Sequence, residues 1–126
     1  MPLLLINGTE DKVNPYNGGL VSILGNDSRG TVLSSDETMK YWLQLGACST
    51  TATQQKIDNR NKDDQSSVEI ITWKCNGQDA AILYKIIGGG HTIPHTQSRM
   101  PKILGNTNQD INAGEEIWQF FKKQIK

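Results

Sequence analysis

The sequence predicts an α/β fold, a small mixed sheet of about three strands with flanking helices, in one domain over residues 1–126. Three observations predict it. Two short apolar runs, Leu3-Leu4-Leu5-Ile6 and Ala81-Ile82-Leu83-Tyr84-Lys85-Ile86-Ile87, read as buried strands. A β-branched and aromatic run, Val68-Glu69-Ile70-Ile71-Thr72-Trp73, ends just before Asn76-Gly77, a strong hairpin turn signal. Two further segments carry apolar residues at helical spacing behind capping residues.

Residues 2–7 form the first strand, which runs into a tight turn at Gly8. Residues 13–19 are a loop containing Pro15 and Gly18-Gly19. Ser34-Ser35-Asp36-Glu37 is a capping-box pattern, with Met39, Trp42 and Leu43 at helical spacing behind it and Gly46 as a stop, so a helix is predicted over residues 36–45. Residues 50–67 are almost wholly polar, with Ile57 their one large apolar side chain, and read as a solvated or partly disordered excursion. The hairpin of residues 68–74 and 80–87 follows, and residues 100–109 are a loop. Asp110 is the expected cap of a last helix, residues 110–124, with an apolar stripe of Ile111, Gly114, Trp118, Phe121 and Ile125 to cover one face of the sheet. Glu115 and Glu116 near its start, and Lys122, Lys123 and Lys126 at its end, suit the helix dipole. Trp42, Trp73 and Trp118 are read as core packing.

Lysine plus arginine and aspartate plus glutamate each number 13, and no basic stripe points to nucleic acid. No apolar stretch approaches the about 20 residues of a membrane span. The start, Met-Pro-Leu-Leu-Leu-Ile, is too short and too uncharged for a signal peptide. Two cysteines, Cys48 and Cys75, fit no zinc spacing; residue pattern alone leaves buried thiols and a disulfide both open.

Chemistry concentrates after the two apolar strands. Gly8-Thr9-Glu10-Asp11 follows the first and Gly88-Gly89-Gly90-His91 the last. An acid and then a histidine, each behind a strand, is the order of the last two members of a Ser…Asp…His triad. Asp11 also suits a plainer role, hydrogen bonding its own turn. His91, behind three glycines at the carboxyl end of a strand, lies where open α/β sheets bind ligands, or else is a surface loop histidine. His95 four residues on makes a weak metal pair, because Pro94 disfavours a helix there and no third ligand is evident; no metal or cofactor is expected. No Gly-x-Ser-x-Gly nucleophile elbow occurs in the chain.

These residues carry a resemblance. The run from Pro2 to Asp11 with Val13 and Pro15-Tyr16, the segment Gly30–Thr38 leading to Trp42 and Gly46-Ala47-Cys48, the stretch Trp73-Lys74-Cys75, Tyr84-Lys85-Ile86 and Gly88-Gly89-Gly90-His91-Thr92-Ile93-Pro94, and Ile117-Trp118-Gln119-Phe120-Phe121 together resemble the C-terminal part of the polyhydroxybutyrate depolymerase and feruloyl esterase group of α/β-hydrolases. The resemblance implies a partial hydrolase domain without its nucleophile half. Asp11 would be the triad acid and His91 the triad base of a serine carboxylic-ester hydrolase acting on polyesters or hydroxycinnamoyl esters. It also implies a Cys48–Cys75 disulfide and a secreted or periplasmic parent whose signal is not in this chain. Residues 3–7 should then pair in parallel with residues 80–87, which should pair antiparallel with residues 68–74. The chain alone is expected to be inactive, and to self-associate through the face the missing half would cover. Two other readings stand beside this one: a non-catalytic binding or structural remnant, and a small hydrolase using Asp11, His91 and a nucleophile such as Ser98.

Overall fold

The structure, a computed structural model, describes residues 1–125. In chain order the elements are β1 (Leu3–Gly8), β2 (Gly19–Leu20), β3 (Thr31–Val32), α1 (Ser35–Leu45), β4 (Ala52–Lys56), β5 (Ser67–Cys75), β6 (Gln78–Ile87) and α2 (Ala113–Gln124), with single 3₁₀ turns at Lys62–Asp64 and Lys102–Leu104. The main sheet has the order β1-β6-β5-β4, and β2 with β3 makes a separate ribbon. β1 pairs with β6 in parallel, from Leu3 opposite Ala81 to Gly8 opposite Ile86. β5 and β6 form the antiparallel hairpin, closed by Asn76-Gly77, both at the positive φ that a two-residue I′ turn requires.

The sheet has four strands rather than three. The added strand, β4, lies within the polar stretch that reads as a solvated excursion. It pairs antiparallel with β5 from Ala52 opposite Trp73 to Lys56 opposite Glu69. Its residues beyond Ala52 are exposed, so the backbone ladder makes it a strand without an apolar pattern to announce it. Behind it, Ile57 packs against the core. The rest of that stretch is held by buried carboxylates. Asp64 Oδ1 accepts from the Ser66 amide at 2.7 Å, and Asp64 Oδ2 from the Gln109 amide at 2.8 Å. Asp110 Oδ1 accepts from the amides of Arg60 and Asn61 at 2.7 and 3.2 Å.

Apolar side chains alternate between two faces of the sheet. Leu3, Leu5, Ile71, Trp73, Ala81 and Leu83 pack with Met39 and Leu43 of α1. Leu4, Ile6, Val68, Ile70, Ile82, Tyr84 and Ile86 pack with Ile111. Each fully buried side chain of this size contributes about 1.5–3 kcal/mol. A register shift at Trp73/Lys74 brings Ala80 onto the α1 face, where Cys75 lies by alternation with Ile71 and Trp73. There Cys75 forms a disulfide with Cys48, just beyond the end of α1.

α1 begins one residue earlier than predicted. The Ser34 hydroxyl accepts from the Glu37 amide at 3.1 Å, while Glu37 Oε2 accepts from the Ser34 amide at 3.0 Å. The Ser34 hydroxyl also donates to Glu37 Oε2 at 2.8 Å, and this bond, then the one from the Ser34 amide, holds the Glu37 carboxyl below its usual value. α2 departs further from expectation. Its cap is Asn112, which accepts from the Glu115 amide, because Asp110 is spent on the 60–61 backbone. Its inward face carries Ala113, Glu116 and Phe120, with Glu116 Oε2 accepting from the Tyr84 hydroxyl at 2.7 Å. The stripe of Trp118, Phe121 and Ile125 lies roughly a third of a turn away and is exposed, so Trp118 is not core. Lys126 lies outside the described residues. β1 is likewise unusual. It is apolar on both faces, yet it is an edge strand.

Two outcomes are expected. Closing a loop over a separation of 27 residues stabilises the fold by roughly 3–4 kcal/mol in the chain-entropy model. The Cys48→Ala/Cys75→Ala pair should lose about that much in urea unfolding, and the unreduced denatured protein should titrate no free thiol. Burial, then the bond to Glu116, push the Tyr84 phenol above its usual value. The folded state therefore holds a proton that the unfolded state releases near pH 10. Stability should be complete below that pH and fall as pH rises above it. Tyr84→Phe should flatten this alkaline loss, at a cost of about 1–2 kcal/mol near neutrality. An unchanged alkaline slope in the variant would count against it.

Candidate active site

The parallel pairing of β1 and β6 places the loops that follow them at one end of the sheet. The loops are stitched together by backbone bonds. The Thr9 amide donates to the Ile86 carbonyl and the Glu10 amide to the Gly89 carbonyl, each at 2.9 Å. The Thr9 hydroxyl accepts from the Gly88 amide at 2.9 Å. The approach requires glycine: a Cβ at Gly8 would sit on the carbonyl oxygen of Gly89, and one at Gly90 on that of Leu104.

Across this junction Asp11 and His91, 80 residues apart in sequence, lie with Asp11 Oδ2 2.9 Å from His91 Nδ1. The Asp11 carboxylate divides its work. Oδ1 accepts from the amides of Val13 and Asn14, both at 2.8 Å, which fixes its own turn. Oδ2 is left for the imidazole. The Asp11 side chain is 5% exposed and that of His91 47%. With the proton on Nδ1 donated to the carboxylate, Nε2 is the free basic nitrogen of a half-exposed ring. The His91 amide donates to the Leu104 carbonyl at 2.6 Å, so the ring's mount is fixed as well.

The pair lines a cleft of about 240 Å³. Among the described residues lining it, the one hydroxyl belongs to Thr92, and that hydroxyl donates to the Asn106 carbonyl at 2.8 Å. Ser98 is exposed and does not line the cleft. His95 is not drawn toward His91: its Nδ1 accepts from the Gln97 amide and its amide donates to the Asn108 carbonyl. Among the described residues no group of three or more His, Cys, Asp and Glu is arranged to hold a metal, and no helix is long and apolar enough to cross a membrane.

Sequence reasoning passed over Asn106. Its side-chain amide donates to the Gly88 carbonyl at 3.0 Å, and its carbonyl accepts from Gly90 and Thr92. It therefore braces the histidine loop at Gly88, Gly90 and Thr92. An asparagine in a polar loop carries no pattern that would have revealed this. No protein-family model, curated protein or solved structure gives a significant match to the chain.

Gly8→Ala should separate the two loops, because the atom it meets is backbone and cannot rotate away. Loss of the Asp11–His91 contact, read as a change in the His91 ring proton shifts, should accompany a destabilisation of about 1–3 kcal/mol. Unchanged ring shifts in a folded variant would contradict the close approach.

Proposed function

We propose that this chain provides the acid and the histidine of a serine carboxylic-ester hydrolase built on the α/β-hydrolase plan, and that the nucleophile comes from outside the chain. The observation that carries the reading is the 2.9 Å contact of Asp11 with His91 Nδ1, made at the carboxyl ends of two adjacent parallel strands. Support also comes from the resemblance of the acid turn and the Gly-Gly-Gly-His loop to the polyhydroxybutyrate depolymerase and feruloyl esterase group.

In this reading His91 Nε2 takes the proton from a serine hydroxyl as the oxygen attacks the ester carbonyl. It then returns that proton to the leaving alcohol. Asp11 keeps the imidazole in the required tautomer and stabilises the imidazolium. Substrates would be esters of hydroxy acids or hydroxycinnamic acids. The Cys48–Cys75 disulfide supports a secreted or periplasmic setting. The two-sided apolar edge of β1 and the exposed stripe of α2 favour association, with a nucleophile-bearing polypeptide or, failing that, with a second copy. The committed hydroxyl of Thr92 favours a second reading for the isolated chain, a non-catalytic module.

The chain alone should not hydrolyse p-nitrophenyl butyrate faster than its His91→Ala variant does. Co-folded with the amino-terminal half of a complete esterase of the resembled group, it should gain turnover. Asp11→Asn should then lower that turnover by roughly 10⁴-fold and His91→Ala by at least as much. Turnover that survives His91→Ala would remove the histidine from the mechanism, and turnover by the isolated chain that His91→Ala abolishes would remove the need for an outside nucleophile.

A further inference from the structure

A second cavity of about 460 Å³ is lined by Lys12 and Val13, next in the chain to Asp11, and by Leu104, whose carbonyl accepts the His91 amide. Its volume falls in the range of small-molecule sites, roughly 300–1,000 Å³. One wall is the segment after Asp11, contributing Val13, Ile23 and Leu24; the other is the 3₁₀ turn, contributing Ile103 and Leu104; Lys12 is its one charged lining residue. Both walls are tied to the pair itself. The Val13 amide is one of the donors to Asp11 Oδ1, and the Leu104 carbonyl accepts the His91 amide. The 13–25 segment is in turn held to itself by the Ser22 amide, which donates to the Val13 carbonyl at 3.2 Å.

Leu24 supplies an independent observation. Ile23 and Asn26 exchange both backbone hydrogen bonds around Leu24-Gly25, a two-residue turn in which both central residues have positive φ, 51° and 81°. Such turns favour Asn-Gly, and a bulky side chain at positive φ is uncommon and strained. Leu24 gains nothing from burial in return, since it is 85% exposed. Ile103, on the opposite wall, is 75% exposed. A strained apolar side chain and an exposed one thus flank an apolar pocket whose walls are bonded to the backbone of His91 and the carboxylate of Asp11. Strain of this kind gathers at ligand sites.

We propose that this pocket binds the hydrocarbon group of an ester, with Leu24 and Ile103 as its two lips. The inference rests on the hydrolase reading for its choice of ligand, and it adds the substrate class: esters with an apolar chain or single ring rather than small polar ones. The hydrocarbon can belong to the acyl or to the alcohol side, and two probes separate these. Methyl hexanoate carries it on the acyl side and hexyl acetate on the alcohol side; methyl acetate lacks it.

The test is amide NMR titration of the isolated chain, which requires no turnover. At least one of the two six-carbon probes should give saturable shifts at Ile23, Leu24, Ile103 and Leu104, and methyl acetate should give none. The tighter of the two identifies the side of the ester. Leu24→Asn is the discriminating variant, because asparagine accepts positive φ and preserves the turn. It should leave thermal stability equal or higher while weakening the six-carbon probe about tenfold, as expected for losing part of a leucine's apolar contact. A purely structural role for Leu24 predicts unchanged affinity. Unchanged affinity in Leu24→Asn, or no saturable shift with either six-carbon probe, overturns the pocket assignment. Neither result touches the hydrolase reading, which stands or falls on the dependence of reconstituted turnover on His91.

Discussion

The candidate site depends on how one buried carboxylate is shared. Asp11 is held by two backbone amides through Oδ1 and holds an imidazole through Oδ2. Neither half suffices alone. Without the Val13 and Asn14 amides the carboxylate would be free to rotate, and the histidine would lose a fixed partner. Without β1 in register with β6, the turn would form far from the histidine loop. The register is enforced from both sides of the sheet, since Leu3 and Leu5 pack toward α1 while Leu4 and Ile6 pack toward Ile111. A slip by one residue would turn every β1 side chain to the opposite face. The carboxyl ends of the strands can approach closely only because Gly8 has no side chain to meet the Gly89 carbonyl. Burial of β1 against β6 and the position of Asp11 are thus one constraint seen at two places.

The shared carboxylate also bears on a choice that the sequence leaves open. A turn aspartate and a triad acid are competing readings of Asp11 when only residue types are visible. Its two oxygens make both contacts: Oδ1 bonds the local turn, as a turn aspartate does, and Oδ2 reaches the imidazole, the contact the proposed triad acid requires. What was legible in the sequence was whatever repeats with a period or sits at a fixed offset. The apolar runs of β1 and β6, the Asn76-Gly77 turn, and the Ser34/Glu37 capping box all have such signals, and all appear where expected. What was illegible is held by partners distant in sequence. β4 is a strand because β5 offers it a ladder. Asp110 is drawn from α2 by the Arg60 and Asn61 amides, which leaves the cap to Asn112. No local rule announces that a carboxylate has a better offer 50 residues away.

The same reasoning bears on the apolar residues that remain outside. A parallel strand with both faces apolar has the composition of an interior strand, because parallel sheets are normally covered on both sides and continue beyond each strand. β1 has that composition, and on one side no strand pairs with it among the described residues. Trp118, Phe121 and Ile125 repeat the pattern on α2, a helix that turns Ala113, Glu116 and Phe120 inward and leaves this apolar stripe exposed. Leu24 differs from both. An exposed strand edge or helix stripe of this extent is suited to another polypeptide. Leu24 is a single side chain held at positive φ beside a small cavity, a scale suited to a small molecule. These exposed apolar features thus differ in size, and the small one borders the turn that holds Asp11. The backbone ties from that pocket's walls to Asp11 and His91 are what join the proposed ligand binding to the proposed ester chemistry. In the proposed reading, the larger surfaces are the ones a nucleophile-bearing partner would cover.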